Sequence, residues 1–154
     1  MKNERGFTLF ETLIAMMLIV MLSGAGLTGW QRWQAQQQLW QTARQVRDYL
    51  VQLRNDANGH NREHIVSLRQ AEGGWCLLTN DLADCQAESS QVMVPRWPGI
   101  VVAEITPSLG FYGLRDTAWA GRIRLQSRAG EWLVIVSNGG RIRMCSNEGG
   151  DVCH

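Results

Sequence analysis

The chain has 154 residues, of which 45% are apolar and 19% charged, with a formal net charge of +1. Beyond one apolar segment this leaves room for a single domain of about 120 residues with a modest core, and near-neutrality singles out no class of partner. The sequence holds no phosphate loop, no nucleophile with a matched base and no metal-ligand spacing, so no enzyme class is indicated and no cofactor is expected.

The chain opens with a short charged stretch ending in Gly6, followed by Phe7-Thr8-Leu9-Phe10-Glu11-Thr12-Leu13 and the apolar run Ile14 to Leu22. Small residues, Ser23, Gly24, Ala25, Gly26 and Gly29, then lead to Trp30; they soften a helix but let neighbouring helices approach closely. A carboxylate inside a membrane segment costs roughly 2.5–3.5 kcal/mol on insertion scales and calls for a function. Glu11 is that carboxylate. An ordinary secretory signal peptide would account for the basic start and for Ser23-Gly24-Ala25 as a cleavage site, and a plain anchor would account for the apolar length. Neither explains Glu11. Lys2 and Arg5 place the N-terminus in the cytoplasm and everything after Trp30 outside the inner membrane.

From Trp30 to Ala57 there is neither proline nor glycine, and Trp33, Trp40, Ala43, Val46, Leu50, Leu53 and Ala57 recur at helical spacing. The pattern predicts an amphipathic helix ending near Asn58-Gly59. Counted from Thr8 it would be roughly 75 Å long at 1.5 Å per residue, with Trp33 and Trp40 as core or bundle contacts and Trp30 at the membrane interface.

Short apolar or β-branched runs follow: His64–Arg69, Trp75–Thr79, Gln91–Val94, Ile100–Ile105, Gly121–Gln126, Trp132–Ser137 and Gly140–Cys145. Asn138-Gly139 predicts a two-residue hairpin turn between the last two, making a three-stranded meander whose middle strand is apolar, and covered, on both faces. His60, His64 and Ser67 lie near one another, but the histidines read as belonging to a polar loop past the helix end, with no catalytic role. The cysteines Cys76, Cys85, Cys145 and Cys153 are even in number and lie beyond the membrane segment, where oxidation to disulfides is the rule. Three connectivities are open; the local pairs Cys76 with Cys85 and Cys145 with Cys153 are expected, each closing a short polar loop. Separations of eight and seven intervening residues do not suit zinc.

The first thirteen residues resemble the class III leader of type IV pilins and type II secretion pseudopilins. The resemblance implies cleavage between Gly6 and Phe7 by an inner-membrane prepilin peptidase, methylation of the new Phe7 amine, and an assembly role for Glu11, the fifth mature residue. Phe10 departs from the family's usual isoleucine or leucine without changing hydrophobicity. Segments Val94-Pro-Arg-Trp-Pro98, Thr106 to Arg115, Thr117 to Gly121 and Gly140-Arg141-Ile142-Arg143 resemble the GspH/FimT class of minor pilins, and within it the prepilin peptidase-dependent A proteins of enterobacteria. The implied organisation is a leader at 1–6, a transmembrane and assembly helix at 7–29, an amphipathic helix at 30–58 and a periplasmic antiparallel β-domain of two sheets at 59–154, an α+β pilin-like fold. Implied partners are the peptidase, the inner membrane and other pilins or pseudopilins, with a role in starting assembly or forming a fibre tip. Two alternatives stand beside it. One is a secretion pseudopilus component touching exported proteins. The other is a DNA-binding tip, because Gly-Arg-x-Arg resembles the DNA-contacting motif of competence pilins: Arg141 and Arg143 project from one face of a strand, and Arg122 and Arg124 repeat the pattern. Without the leader the chain has 13 arginines, 13 acids and no lysine, so each basic group is a planar fork suited to carboxylate or phosphate.

Overall fold

The computed structural model describes residues 8–79, 85–86, 89–113, 117–146 and 152–153. They fall into two compact units, one ending at Gln34 and the next beginning at Ala35. One helix, α1 (Leu9–His60), contributes to both. In the first unit every described side chain of α1 is exposed, among them the apolar ones from Leu9 to Leu22. Trp30 and Trp33, one turn apart, bring their ring centroids to 5.2 Å.

In the second unit α1 presents Leu39, Ala43, Val46, Leu50, Leu53 and Ala57, alternating four and three residues apart and all buried. Trp33 and Trp40, expected on this stripe, are not on it. Trp33 belongs to the first unit, and Trp40 sits one residue, about 100°, off the line that Leu39 occupies, leaving it 37% exposed. The helix also runs slightly past Asn58-Gly59. Asn61 takes the left-handed conformation with φ of 51°, and the Arg62 N–H donates to the Ala57 carbonyl at 3.2 Å, the six-to-one bond that closes a Schellman cap.

The described strands are β1 (His64–Ala71), β2 (Gly74–Thr79), β3 (Val92–Met93), β4 (Val101–Ile105), β5 (Gly110–Tyr112), β6 (Thr117–Trp119), β7 (Gly121–Ser127), β8 (Gly130–Val136), β9 (Ile142–Ser146) and β10 (Val152–Cys153). They build two antiparallel sheets, ordered β3-β2-β1-β5-β6 and β10-β9-β8-β7-β4. This is the expected α+β, pilin-like arrangement of one long helix with two antiparallel sheets. Trp75, Leu77 and Phe111 of the first sheet and Ile123, Leu125, Val134, Val136 and Met144 of the second join the helix line in one core cluster. The Trp75 indole N–H donates to the Ile100 carbonyl at 2.7 Å, tying β2 to the approach to β4. Gly110 allows β5 to lie tight on β1: a Cβ there would fall 2.6 Å from the His64 carbonyl oxygen.

The β8–β9 turn differs from the two-residue form expected of Asn-Gly. Gly140 N–H donates to Ser137 O at 2.9 Å and Ser137 N–H to Arg141 O at 3.0 Å, and the left-handed residue is Gly140, φ 69°, rather than Asn138 or Gly139. The loop is therefore Asn138-Gly139-Gly140, a turn followed by a glycine bulge. The middle strand β8 is covered unequally on its two faces: Val134 and Val136 are buried, while Leu133 and Ile135 on the other face are only partly buried.

His60 and His64 are not loop residues. His60 closes α1, and His64 opens β1 with a side chain of 0% exposure. Asp56 joins them, its Oδ2 2.6 Å from His64 Nε2 and its Oδ1 2.9 Å from His60 Nδ1. A carboxylate only accepts, so His64 Nε2 carries the proton and donates. That bond, with the nearby His60 and Arg62 charges, holds the Asp56 carboxyl below its ordinary 3.8. The folded state therefore binds fewer protons here than the unfolded chain. The stability gained is complete above pH 3.8 and is lost as pH falls through the lower folded value. Asp56→Ala strands a buried imidazole N–H, so equilibrium unfolding at pH 7 should show a loss of about 1–3 kcal/mol and a flatter acid limb. Asp56→Asn keeps an acceptor and should cost less; equal stability of the alanine variant and wild type would remove this bond from the account.

Candidate functional site

The N-terminal turn of α1 is closed by Thr8 and Glu11. The Thr8 carbonyl accepts from the N–H of Glu11 at 3.0 Å and of Thr12 at 3.2 Å. The Glu11 N–H also reaches the Thr8 hydroxyl at 3.4 Å, while the Thr8 N–H donates to Glu11 Oε2 at 3.4 Å. Thr-x-x-Glu is thus a reciprocal capping box, and the carboxylate lies at the positive end of the helix dipole. These bonds orient Glu11 without neutralising it: among the described residues it forms no ion pair. Around it α1 is long and apolar enough to cross a membrane by length and composition, with Leu9, Phe10 and the side chains up to Leu22 open for lipid or for other helices. Gly6 and Phe7, the expected cleavage position, lie outside the described residues.

Cys76, buried on β2, is bonded to Cys85 across a Cα separation of 6.0 Å, the expected local pair. Cys145 is also disulfide-bonded, and the register of β9 with β10 sets its Cα opposite that of Cys153. The side chain of Cys153 lies outside the described ones. No group of histidine, cysteine and acidic side chains suited to a metal occurs among the described residues.

The four candidate arginines share one face of the second sheet. Register aligns Arg122, Ile135 and Arg143 in one row and Arg124, Leu133 and Cys145 in the next, and facing residues in such rows point to the same side. Two of the arginines are occupied. Glu104 on β4 takes Arg122 Nη2 on Oε1 at 2.8 Å and Arg124 Nη2 on Oε2 at 3.0 Å, and the Arg122 guanidinium holds the Glu104 carboxyl below the usual carboxylate range. Arg141 and Arg143 are exposed and form no ion pair among the described residues. With Ile135, Ser137 and Gly139 they line a cleft of about 480 Å³.

Residues 1–27 match the family model described as the prokaryotic N-terminal methylation motif. The chain carries a type IV pilin-like signal for prepilin peptidase. No curated protein and no solved structure matches the chain. The motif spans Gly6, Phe7 and the Thr8–Glu11 capping box, and it implies membrane anchoring and pilus-type assembly with other pilins.

Two groupings had no signal in the sequence. The Asp56–His64 bond crosses a helix end. A cleft walled by α1 and the segment after β3 brings Trp40 and Arg44 near Arg96 and Trp97, about fifty residues apart in the chain, with no periodicity to link them.

Proposed function

We propose that the protein is a minor subunit of a type IV pilus or of a secretion pseudopilus, of the GspH/FimT class, that helps start assembly or forms the fibre tip. Prepilin peptidase releases residues 1–6, α1 holds the mature chain in the inner membrane with its β-domain in the periplasm, and the chain is then drawn into a fibre. The role is structural rather than catalytic. The observation that carries it is Glu11, a carboxylate with no ion pair among the described residues, in an exposed apolar helix inside the methylation motif. Buried among apolar helices it needs a cationic partner, which the methylated Phe7 amine of an adjacent subunit would supply. Deleting a priming subunit is expected to lower the number of fibres per cell while leaving their length intact, and the wild-type gene should restore the number. Unchanged fibre counts, with the chain missing from sheared fibres, would overturn this role.

A second reading, DNA capture, is favoured by one observation, the exposed guanidinium groups of Arg141 and Arg143, which form no ion pair among the described residues. Arg122 and Arg124 share Glu104 and so add one net charge between them. Full-length protein in detergent should then bind duplex DNA without sequence preference, with a dissociation constant on the order of 10⁻⁴–10⁻⁶ M and a salt slope of roughly −2 to −3. Arg141→Gln with Arg143→Gln should reduce that slope by about 2 without moving the thermal midpoint. If no binding is seen at low salt, where phosphate contacts are strongest, the arginines serve solubility and edge protection instead.

A further inference from the structure

A cleft of about 710 Å³ runs between α1 and residues 90–97. Its two walls are fastened to each other. The Gln45 amide donates to the Val94 carbonyl at 3.0 Å and accepts from the Arg96 N–H at 3.4 Å, so both of its polar atoms are spent on the facing backbone. Below it, the buried Tyr49 hydroxyl donates to the Gln91 carbonyl at 2.8 Å, and burial pushes that phenol up so that it stays a neutral donor. The cleft is therefore a built feature and not a gap between loose segments.

Its rim has a definite chemistry. Arg44 lies over the Trp40 ring at 5.5 Å from the centroid and Arg96 over Trp97 at 5.9 Å, within the range in which a ring face attracts a cation. Each guanidinium thus has an aromatic neighbour at the rim while its charge stays on the cleft side of the fold. Against these two cations stands, among the described lining residues, one acid, Asp48, 3.9 Å from Arg44, both more than half exposed. Arg96 forms no ion pair among the described residues. Gln41 and Gln52, exposed on the same helix wall, offer amides of the kind that pair with extended backbone.

We propose that this cleft is a docking groove for an extended acidic segment of a neighbouring fibre subunit, its carboxylates held by Arg44 and Arg96. The partner rests on the assembly reading above; the chemistry of the groove rests on its own geometry. Excess positive charge selects carboxylates, the amides and tryptophan faces suit a peptide, and Asp48 on the helix wall tells against a continuous polyanion such as nucleic acid. The tethered walls mean that little ordering is required on binding.

The test uses full-length protein in detergent and a short fluorescent peptide alternating glutamate and serine, read by anisotropy. Saturable binding is expected, weakened roughly fivefold or more by Arg44→Gln with Arg96→Gln. Asp48→Asn removes the competing carboxylate and should tighten binding roughly twofold to fivefold, a gain that a merely structural residue would not give. The same peptide with glutamine in place of glutamate should not bind. The inference is overturned if the glutamate peptide fails to bind at low salt, if the double variant binds as wild type does, or if the glutamine peptide or duplex DNA binds equally well. A chain that is cleaved and assembled yet binds no peptide sinks the groove and leaves the assembly reading standing. One that binds the peptide but is never cleaved or assembled supports the groove and removes only its fibre partner.

Discussion

In cells with prepilin peptidase, Gly6→Val should leave the chain at its full length, whereas the wild type should lose six residues and carry a methyl group on Phe7. The methylation motif over residues 1–27 implies processing by prepilin peptidase, the leader's resemblance puts the cut after Gly6, and a branched side chain there adds bulk where glycine leaves the backbone open. The mass of the N-terminal peptide should shift from complete cleavage to none. A wild-type chain starting after Ala25 would instead mark an ordinary secretory signal. The next residue to change is Glu11, whose two roles separate by chemistry. Glu11→Gln keeps an acceptor for the Thr8 N–H, and so the capping box, but removes the charge; Glu11→Val removes both. Membrane insertion should be unharmed or improved in both variants, because a carboxylate in that position costs roughly 2.5–3.5 kcal/mol. If the charge pairs with a neighbour's amine, both variants should fail to enter fibres. If Glu11→Gln assembles normally, the capping box is what matters and the pairing account is wrong.

What was legible in the sequence is what is local. The leader, the apolar run and Glu11 are contiguous, so their meaning does not wait on the fold. The helix line Ala43, Val46, Leu50, Leu53 and Ala57 follows from its period alone, and the arginine rows follow from i, i+2 alternation on β7 and β9. Trp40 departs from its expected place because periodicity does not distinguish a large apolar residue on the stripe from one a single position off it; Leu39, also apolar, takes the core place. The strands β5, β6 and β10 have three residues or fewer, too short to alternate, and they exist because of distant partners such as Ile65 opposite Gly110 and Gly110 opposite Trp119. The pairing of Arg122 and Arg124 with Glu104, and the fastening of α1 to residues 91–96 through Gln45 and Tyr49, are likewise set by the tertiary fold. So the sequence alone indicated a basic face, but could not show that half of it is already bound to a carboxylate.

Leu50→Ala should give a large stability loss in the second unit. Leu50 lies at the middle of the buried helix line, with 0% exposure, and belongs to the cluster that joins α1 to strands of both sheets. Truncating it removes the transfer energy of the lost atoms and leaves a cavity in that close-packed cluster, so a loss of about 2–5 kcal/mol is expected. Against a typical total of about 5–15 kcal/mol, that is enough to raise the unfolded population by orders of magnitude. Leu50→Met keeps volume and apolarity and should cost less than about 1.5 kcal/mol. Denaturant unfolding of full-length protein, with the disulfides intact in every variant, measures both. Trp40→Ala is the control, because that side chain lies at the rim of a cleft and not within the helix line. It should lose markedly less stability than Leu50→Ala despite removing a larger side chain. If Trp40→Ala proves the more damaging, the core runs through the tryptophan as its spacing first indicated, and the helix faces the sheets about 100° from the orientation described.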